Sequence, residues 1–358
     1  MQNSPLHEVH QAAGAKLINF CGWQLPVSFT SISKEHIAVR QHAGLFDISH
    51  MGQVEFSGPD VEAVLDGLFT NDLTKLTDSK GQYTLMCNER GGVIDDLIIY
   101  RRSSESYFAV FNAAKLSDVL AELERQLSNR GIGINLRSGA AGMALQGPEG
   151  ADVLASVVHD FELPERLHFS ETFWQGHKLL IARTGYTGED GFEIFCDAEI
   201  SVGLWQELVA KDNCFPCGLG ARDSLRLEAC LPLNGNELGP DITPLEAGLS
   251  KFVKLKQTTD FVGKSALLAQ QADGPKRISC ALKMVGKAPP PRSHYRILKD
   301  DREIGEVTSG VASPTLSCGI GLAFIESSVA KIDTVVDIEI RGRRFPATIC
   351  QKPLYKKI

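Results

Sequence analysis

Two adjacent carboxylates, Asp95 and Asp96, interrupt the apolar run Gly91-Gly-Val-Ile-Asp-Asp-Leu-Ile-Ile-Tyr100. Strand side chains alternate, so Asp95 shares a face with Val93, Leu97 and Ile99, and Asp96 shares the other with Ile94, Ile98 and Tyr100. Both faces are apolar, which suggests a strand covered on each side. An unpaired buried carboxylate is costly or takes up a proton. At least one of the two acids therefore enters the interior or a cleft. It does so either as a paired structural acid or as a site acid able to orient a substrate and accept a proton.

Other familiar patterns fail on inspection. Cys214-Phe-Pro-Cys217 has redox spacing, but it lacks a thioredoxin-like βαβ context and a second pair to complete a zinc site, so it reads as incidental. Gly263-Lys264-Ser265 ends like a P-loop, yet Thr258 stands where the first glycine belongs. Gly218-Leu-Gly220 lacks the third glycine of a dinucleotide fingerprint, and Pro216 precedes it in place of a clear strand. His7-Glu-Val-His10 is not a zincin pair. No nucleotide or metal site is signalled.

The elements that position the acids follow from periodicity. Helices are expected at about 33–43, with Ser33 as cap, at about 60–68, and at 114–129, where Leu116, Val119, Leu120, Leu123 and Leu127 recur before Asn129 and Gly131. Strands are expected at about 53–57, 83–87, 93–101 and 106–111, with Gly91-Gly92 turning into the acidic one. Residues 140–245 read as mixed structure with helices near 201–211 and 220–230. A linker at Ala272-Asp-Gly-Pro275 leads to short Val/Ile runs such as Ile304–Val307 and Val335–Ile340, the mark of a small all-β domain.

Composition narrows the class. The chain has 358 residues and a formal charge of −7, which argues against general nucleic-acid or acidic-membrane binding. No apolar run reaches membrane-spanning length, and the start lacks a signal or transit pattern, so a cytoplasmic protein is expected. The nine cysteines are scattered, as expected of reduced thiols.

Four further segments place polar residues in Gly-rich bends beside apolar strands. They are Phe46-Asp-Ile-Ser-His-Met51, Thr184-Gly-Tyr-Thr-Gly-Glu-Asp-Gly-Phe-Glu193, Gly218-Leu-Gly-Ala-Arg-Asp-Ser-Leu-Arg-Leu-Glu228 and Thr308-Ser-Gly-Val-Ala-Ser-Pro314. With the acidic strand they closely resemble, in order, the T-protein family of the glycine cleavage system, tetrahydrofolate-dependent aminomethyltransferases. Gly22-Trp23, Phe111-Asn-Ala113 and Phe261-Val-Gly-Lys-Ser-Ala-Leu267 extend the resemblance, which runs from Pro5 to the tail Lys352-Pro-Leu-Tyr-Lys-Lys357.

The resemblance implies an α+β chain in a three-domain cloverleaf around a central folate channel. Its domains would be 1–52 with 140–272 (folate-binding), 53–139 (carrying the acidic strand) and 273–358 (an all-β, barrel-like domain). It implies transfer of the aminomethyl carbon of a lipoylated H-protein to tetrahydrofolate with release of ammonia, beside the P- and L-proteins of the system. The family's key aspartate falls on Asp96, its pterin positions on Tyr83, Tyr186, Glu193 and Arg222, and channel positions on Asn112 and Met51. A C-terminal position falls on Tyr355 or Lys356. Neither metal, nucleotide, nucleic acid nor membrane is implied, and a monomer is expected. The alternatives on the same scaffold are a folate-dependent demethylase and a non-catalytic iron–sulfur assembly factor. The latter carries Lys-Gly-Cys near Thr184-Gly-Tyr186, where this chain has no cysteine. Lys251, Lys254 and Lys256, or Lys352, Lys356 and Lys357, are the densest basic clusters for docking an acidic partner.

Overall fold

The turn into the acidic strand is built by Asn88, whose side-chain oxygen accepts from the amides of Arg90 and Gly92. Gly91 takes φ of +80°, and a Cβ on Gly92 would lie 1.9 Å from the Pro240 carbonyl oxygen, so glycine is required at both positions. The strand Val93–Ser103 follows. In this structure, a computed structural model describing residues 1–257 and 259–357, the strand shows clean alternation over its first half. Val93, Asp95, Leu97 and Ile99 are buried, whereas Ile94, Asp96 and Ile98 are half-buried. Consecutive buried residues occur only at Ile99–Tyr100, and Arg101–Ser103 are half-buried again, so the expectation of a doubly covered strand is met at that pair alone.

The described chain forms two compact units, one of Met1–Leu65, Leu73–Tyr83 and Leu97–Asp223, the other of Asp66–Asp72, Thr84–Asp96 and the residues from Ser224 onward. The strands Lys80–Cys87 and Val93–Ser103 pass from one into the other. They open a five-stranded sheet continued by Ser106–Phe111, Gly52–Ser57 and Gly133–Leu136. The helix Leu116–Leu127 buries Val119, Leu123 and Leu127, and Asn129 and Gly131 end it at positive φ, as the spacing predicts.

A six-stranded sheet in the first unit runs Phe169–Trp174, His177–Ala182, Gly191–Cys196, Ala141–Gln146, Ala43–Asp47, Cys214–Cys217. Met143, Leu145, Ile181, Ile194, Leu204 and Trp205 pack its core. The helix Ile32–Gln41 is capped by Ser31, whose hydroxyl accepts from the Lys34 amide, two residues before the expected Ser33. Glu35 settles the start by reaching back to the amides of Phe29 and Thr30 at 2.8 Å each.

The second unit contains a closed barrel of Arg277–Met284, Cys318–Glu326, Arg302–Ser313, Arg296–Lys299, Val335–Ile340 and Arg343–Cys350. Closure pairs every strand on both sides and removes exposed edges. Leu282, Ile297, Val307, Ile325, Ile338 and Ile349 fill the barrel. The all-β domain is thus found where the sequence places it. The linker is shorter than expected, because the helix Lys264–Asp273 takes up Ala272 and Asp273 and leaves Gly274 at φ +76° to break it. Among the described residues no helix is long and apolar enough to cross a membrane.

Candidate functional site

The first unit gathers three of the expected residues, Tyr186, Glu193 and Arg222. Tyr186 sits in the bend between the strands His177–Ala182 and Gly191–Cys196. That bend is gripped from beneath by Gln146, which is fully buried. Gln146 Nε2 donates to the Thr184 carbonyl at 3.0 Å, and its Oε1 accepts from the Thr187 hydroxyl at 3.0 Å, one hold on each side of Tyr186. Arg40 donates from Nη1 to the Thr187 carbonyl and to Glu189 Oε1, each at 2.8 Å. Arg183 forms a fork on Asp190 at 3.0 and 2.6 Å.

Arg222 projects from the helix Leu219–Glu228, and its guanidinium carbon lies 4.8 Å from the centre of the Tyr186 ring. The helix start is fixed by Glu35, whose second oxygen accepts from the Gly218 amide at 2.9 Å. A Cβ at Gly218 would fall 2.4 Å from the Val27 carbonyl carbon, so glycine is needed for the close approach. A strand, Cys214–Cys217, does precede this turn, contrary to expectation. Pro216 is tolerated because the strand lies at the sheet edge.

Glu193 lies on a buried strand opposite Ala144 on one side and Ala182 on the other. Thr184 Oγ1 donates to Glu193 Oε2 at 2.7 Å, and the Tyr100 hydroxyl lies 3.2 Å from Thr184 Oγ1. Burial pushes the Glu193 carboxyl above the ordinary glutamate range, against the Thr184 hydrogen bond and the Arg222 charge. Burial likewise pulls the Arg222 guanidinium down, against Glu193 and Tyr186. Arg222 Nη1 is out of solvent and has no hydrogen-bond partner among the described residues. His50 is buried, and desolvation followed by the Arg222 charge drops its imidazole to about 4, with Asp47 opposing. A carboxylate, an unsatisfied guanidinium donor and an aromatic face suit a planar heterocycle with N–H donors on one edge and a carbonyl acceptor.

The remaining expected residues are placed as follows. Met51 closes the bend after Ala43–Asp47, its amide donating to the Ile48 carbonyl at 3.1 Å. Asp47 anchors that bend, accepting from Ser4 Oγ at 2.6 Å and the Ser49 amide at 2.9 Å and pairing with His10 Nε2 at 2.9 Å. Asn112 is half-buried at the start of the turn Ala113–Lys115, and Tyr83 is half-buried in Lys80–Cys87. Asp96, Tyr355 and Lys356 belong to the second unit. Tyr355 donates its amide to the Glu228 carbonyl at 2.9 Å, and Lys356 is exposed. Asp95 is fully buried and accepts from Asn234 Nδ2 at 3.1 Å.

The discounted motifs have structural explanations. Cys214 and Cys217 are reduced and buried, and burial pushes the Cys214 thiol up to about 12. Lys264 donates to the carbonyls of Gln257 and Thr259 at 2.5 and 2.7 Å, tying a loop; Thr258 itself lies outside the described residues. No group of residues able to hold a metal ion occurs among the described residues. Lys254 is buried against Asp66 at 2.5 Å and drops out of the basic cluster proposed for docking. The sequence reading missed Glu35, Arg40, Gln146, His50, Thr184 and Tyr100. The motifs that contain His50, Thr184 and Tyr100 signalled their neighbourhood, and nothing signalled Glu35, Arg40 or Gln146.

Comparison with known proteins bears on the whole chain. The GCVT N-terminal domain family model matches residues 6–257, and the glycine cleavage T-protein C-terminal barrel domain matches residues 277–356. The aminomethyltransferase of Bacillus pumilus is 45% identical over 363 residues, covering 100% of this chain and 99% of that protein. That of a Geobacillus species is 44% identical over 362 residues, with the same coverage. The crystal structure of the glycine cleavage system aminomethyltransferase T from Bartonella henselae is similar at a TM-score of 0.94 and 33% identity, covering 99% of this chain and 98% of that one.

Proposed function

The chain belongs to the glycine cleavage T-protein family and is an aminomethyltransferase, and we propose that its one-carbon acceptor is tetrahydrofolate and its donor the aminomethyl-lipoyl arm of an H-protein. The observation that carries the acceptor is Arg222 Nη1, a buried donor with no hydrogen-bond partner among the described residues, beside Glu193 and against Tyr186. A pterin carbonyl would take the Arg222 donor, and the ring N–H with its neighbouring exocyclic amine would pair with the Glu193 carboxylate. Tyr186 already holds the guanidinium on one face, so its first role in this reading is to fix the plane of that fork. Tyr83, Asn112 and Met51, and Tyr355 or Lys356, line the channel in the same reading.

In the proposed reaction a folate nitrogen attacks the methylene carbon that bears both sulfur and an ammonium group. The carbon–sulfur and carbon–nitrogen bonds break, and the methylene bridges two folate nitrogens. The two folate N–H protons end on the dihydrolipoyl thiol and on the released ammonia. Asp96 orients the folate nitrogens, accepts one of these protons and stabilises the iminium-like cation. The same reading carries the three-part division at residues 1–52 with 140–272, 53–139 and 273–358, a monomeric chain, a cytoplasmic setting and association with the P- and L-proteins.

The deciding assay follows ammonia release from aminomethylated H-protein with and without tetrahydrofolate; release that ignores folate would reject the acceptor. Calorimetric titration with tetrahydrofolate tests the site. Glu193→Gln and Arg222→Ala should each lose about 1–3 kcal/mol of binding, the scale of a charge-assisted hydrogen bond. Unchanged affinity in both would remove them from the pocket.

A further inference from the structure

Glu193 faces a small set of groups. The strands on either side set alanines opposite it, Ala144 and Ala182. The charged or titratable groups that reach it are Arg222 from the helix Leu219–Glu228 and Tyr100 from the strand Val93–Ser103, with the neutral hydroxyl of Thr184 between. Tyr186 and His50 act at one remove, through Arg222.

The hydrogen bonds impose a direction. Thr184 has one hydroxyl proton, and an ionised Glu193 only accepts, so that proton goes to Oε2 over 2.7 Å. Thr184 Oγ1 then accepts, and Tyr100, 3.2 Å away, must donate. The tyrosine cannot swing off. It is fully buried, stacked on Phe108 at 6.1 Å and edge-on to Phe169 at 5.7 Å. A Cβ on Gly81 would come within 2.4 Å of its ring, so that glycine leaves the space the ring occupies.

We propose that Tyr100 and Thr184 are positioning residues that hold Glu193 ionised with Oε2 fixed, and so set the lower pH limit at which the chain takes a folate ring. The proposal rests on Glu193 lying at the pterin. Protonating Glu193 on Oε2 reverses the chain: the carboxyl donates to Thr184, and as a neutral acid it accepts from the ring N–H and amine more weakly than the carboxylate does. Burial favours that protonated state, and the Thr184 hydroxyl and the Arg222 charge resist it. Removing Thr184 takes away the hydrogen bond to the ionised form, and removing the Tyr100 hydroxyl weakens it at second hand.

Two readouts on the full-length protein separate this proposal from the folate assignment. Carbon-13 NMR of δ-carboxyl-labelled glutamate, assigned with Glu193→Gln, follows the Glu193 titration with no folate present. The midpoint should rise by about one pH unit, a tenfold shift in the proton equilibrium, in Thr184→Val. It should rise less in Tyr100→Phe and return in Thr184→Ser. Calorimetric titration with tetrahydrofolate across the same pH range should show the acid limb of affinity moving with that midpoint, while affinity at high pH stays within about threefold. A Glu193 midpoint unmoved in both folded variants overturns the proposal, whatever folate binding does. A midpoint that moves while folate affinity ignores pH removes Glu193 from the pterin, and with it the link to binding.

Discussion

His50 gives a stability prediction that can be worked from its surroundings. Its ring is buried, edge-on to Phe20 at 5.5 Å, and Nδ1 has no hydrogen-bond partner among the described residues. Burial and then the Arg222 charge push the imidazole from 6.5 to about 4. The folded-state value is depressed, so the unfolded chain takes up the proton first, and stability falls as pH drops through the unfolded value. At ~1.4 kcal/mol per unit the full loss is about 3 kcal/mol, of which about 2 kcal/mol is gone by roughly pH 5.

The perturbation is His50→Gln, which keeps a polar side chain and removes the titration. Urea unfolding at about pH 7.5 and pH 5 gives each protein's loss of stability, and the difference between the two losses cancels groups common to both. The wild type should lose about 2 kcal/mol more than the variant. Adding Arg222→Gln to the wild type should shrink this excess without abolishing it, because burial is the larger cause. Parallel losses in wild type and His50→Gln would refute the reasoning and show His50 already charged, or hydrated, in the folded chain.

Further outcomes follow from the same geometry. Asp96→Asn should reduce ammonia release by roughly 10²–10⁴-fold with little loss of stability, the scale of a positioned acid–base group. Asp95→Asn should chiefly lower the unfolding free energy, by about 1–3 kcal/mol, through its buried bond to Asn234; equal turnover losses at both would count against the division of roles. Gln146→Leu removes the donor to the Thr184 carbonyl and the acceptor of the Thr187 hydroxyl proton, so folate affinity should fall about tenfold and turnover at saturating folate much less. The reverse split would show that the brace serves the chemical step. For the partner, exposed Lys251 and Lys256, or Lys356 and Lys357, changed to Glu should raise the Michaelis constant for H-protein most at low salt, whereas Lys254→Glu should unfold the local structure. H-protein kinetics unaltered by either pair of reversals would discard both clusters as the docking face.

The sequence shows faces more readily than it shows partners. Period-two alternation at Val335–Ile340 gives both the strand and its inward side, and helical spacing at Leu116–Leu127 gives the buried stripe. Alternation also separates Asp95 from Asp96, but the bond that Asp95 accepts comes from Asn234, 139 residues away in the chain. The supports of the site share that property. Glu35 reaches an amide 183 residues on, and Arg40 a carbonyl 147 residues on. Each is a single polar residue on an ordinary helix, and nothing in its local spacing distinguishes it from a solvated charge. Tyr100 is hidden differently, since a tyrosine closing an apolar strand reads as core, and its ring is core. Its one polar atom is what matters, and that atom's role depends on Thr184 in a bend that must first be folded against it. The residues proposed to face the ligand therefore sit in motifs, while Glu35, Arg40 and Gln146, which brace them, are isolated singles. A substitution at Gln146 can alter the site while every motif stays intact.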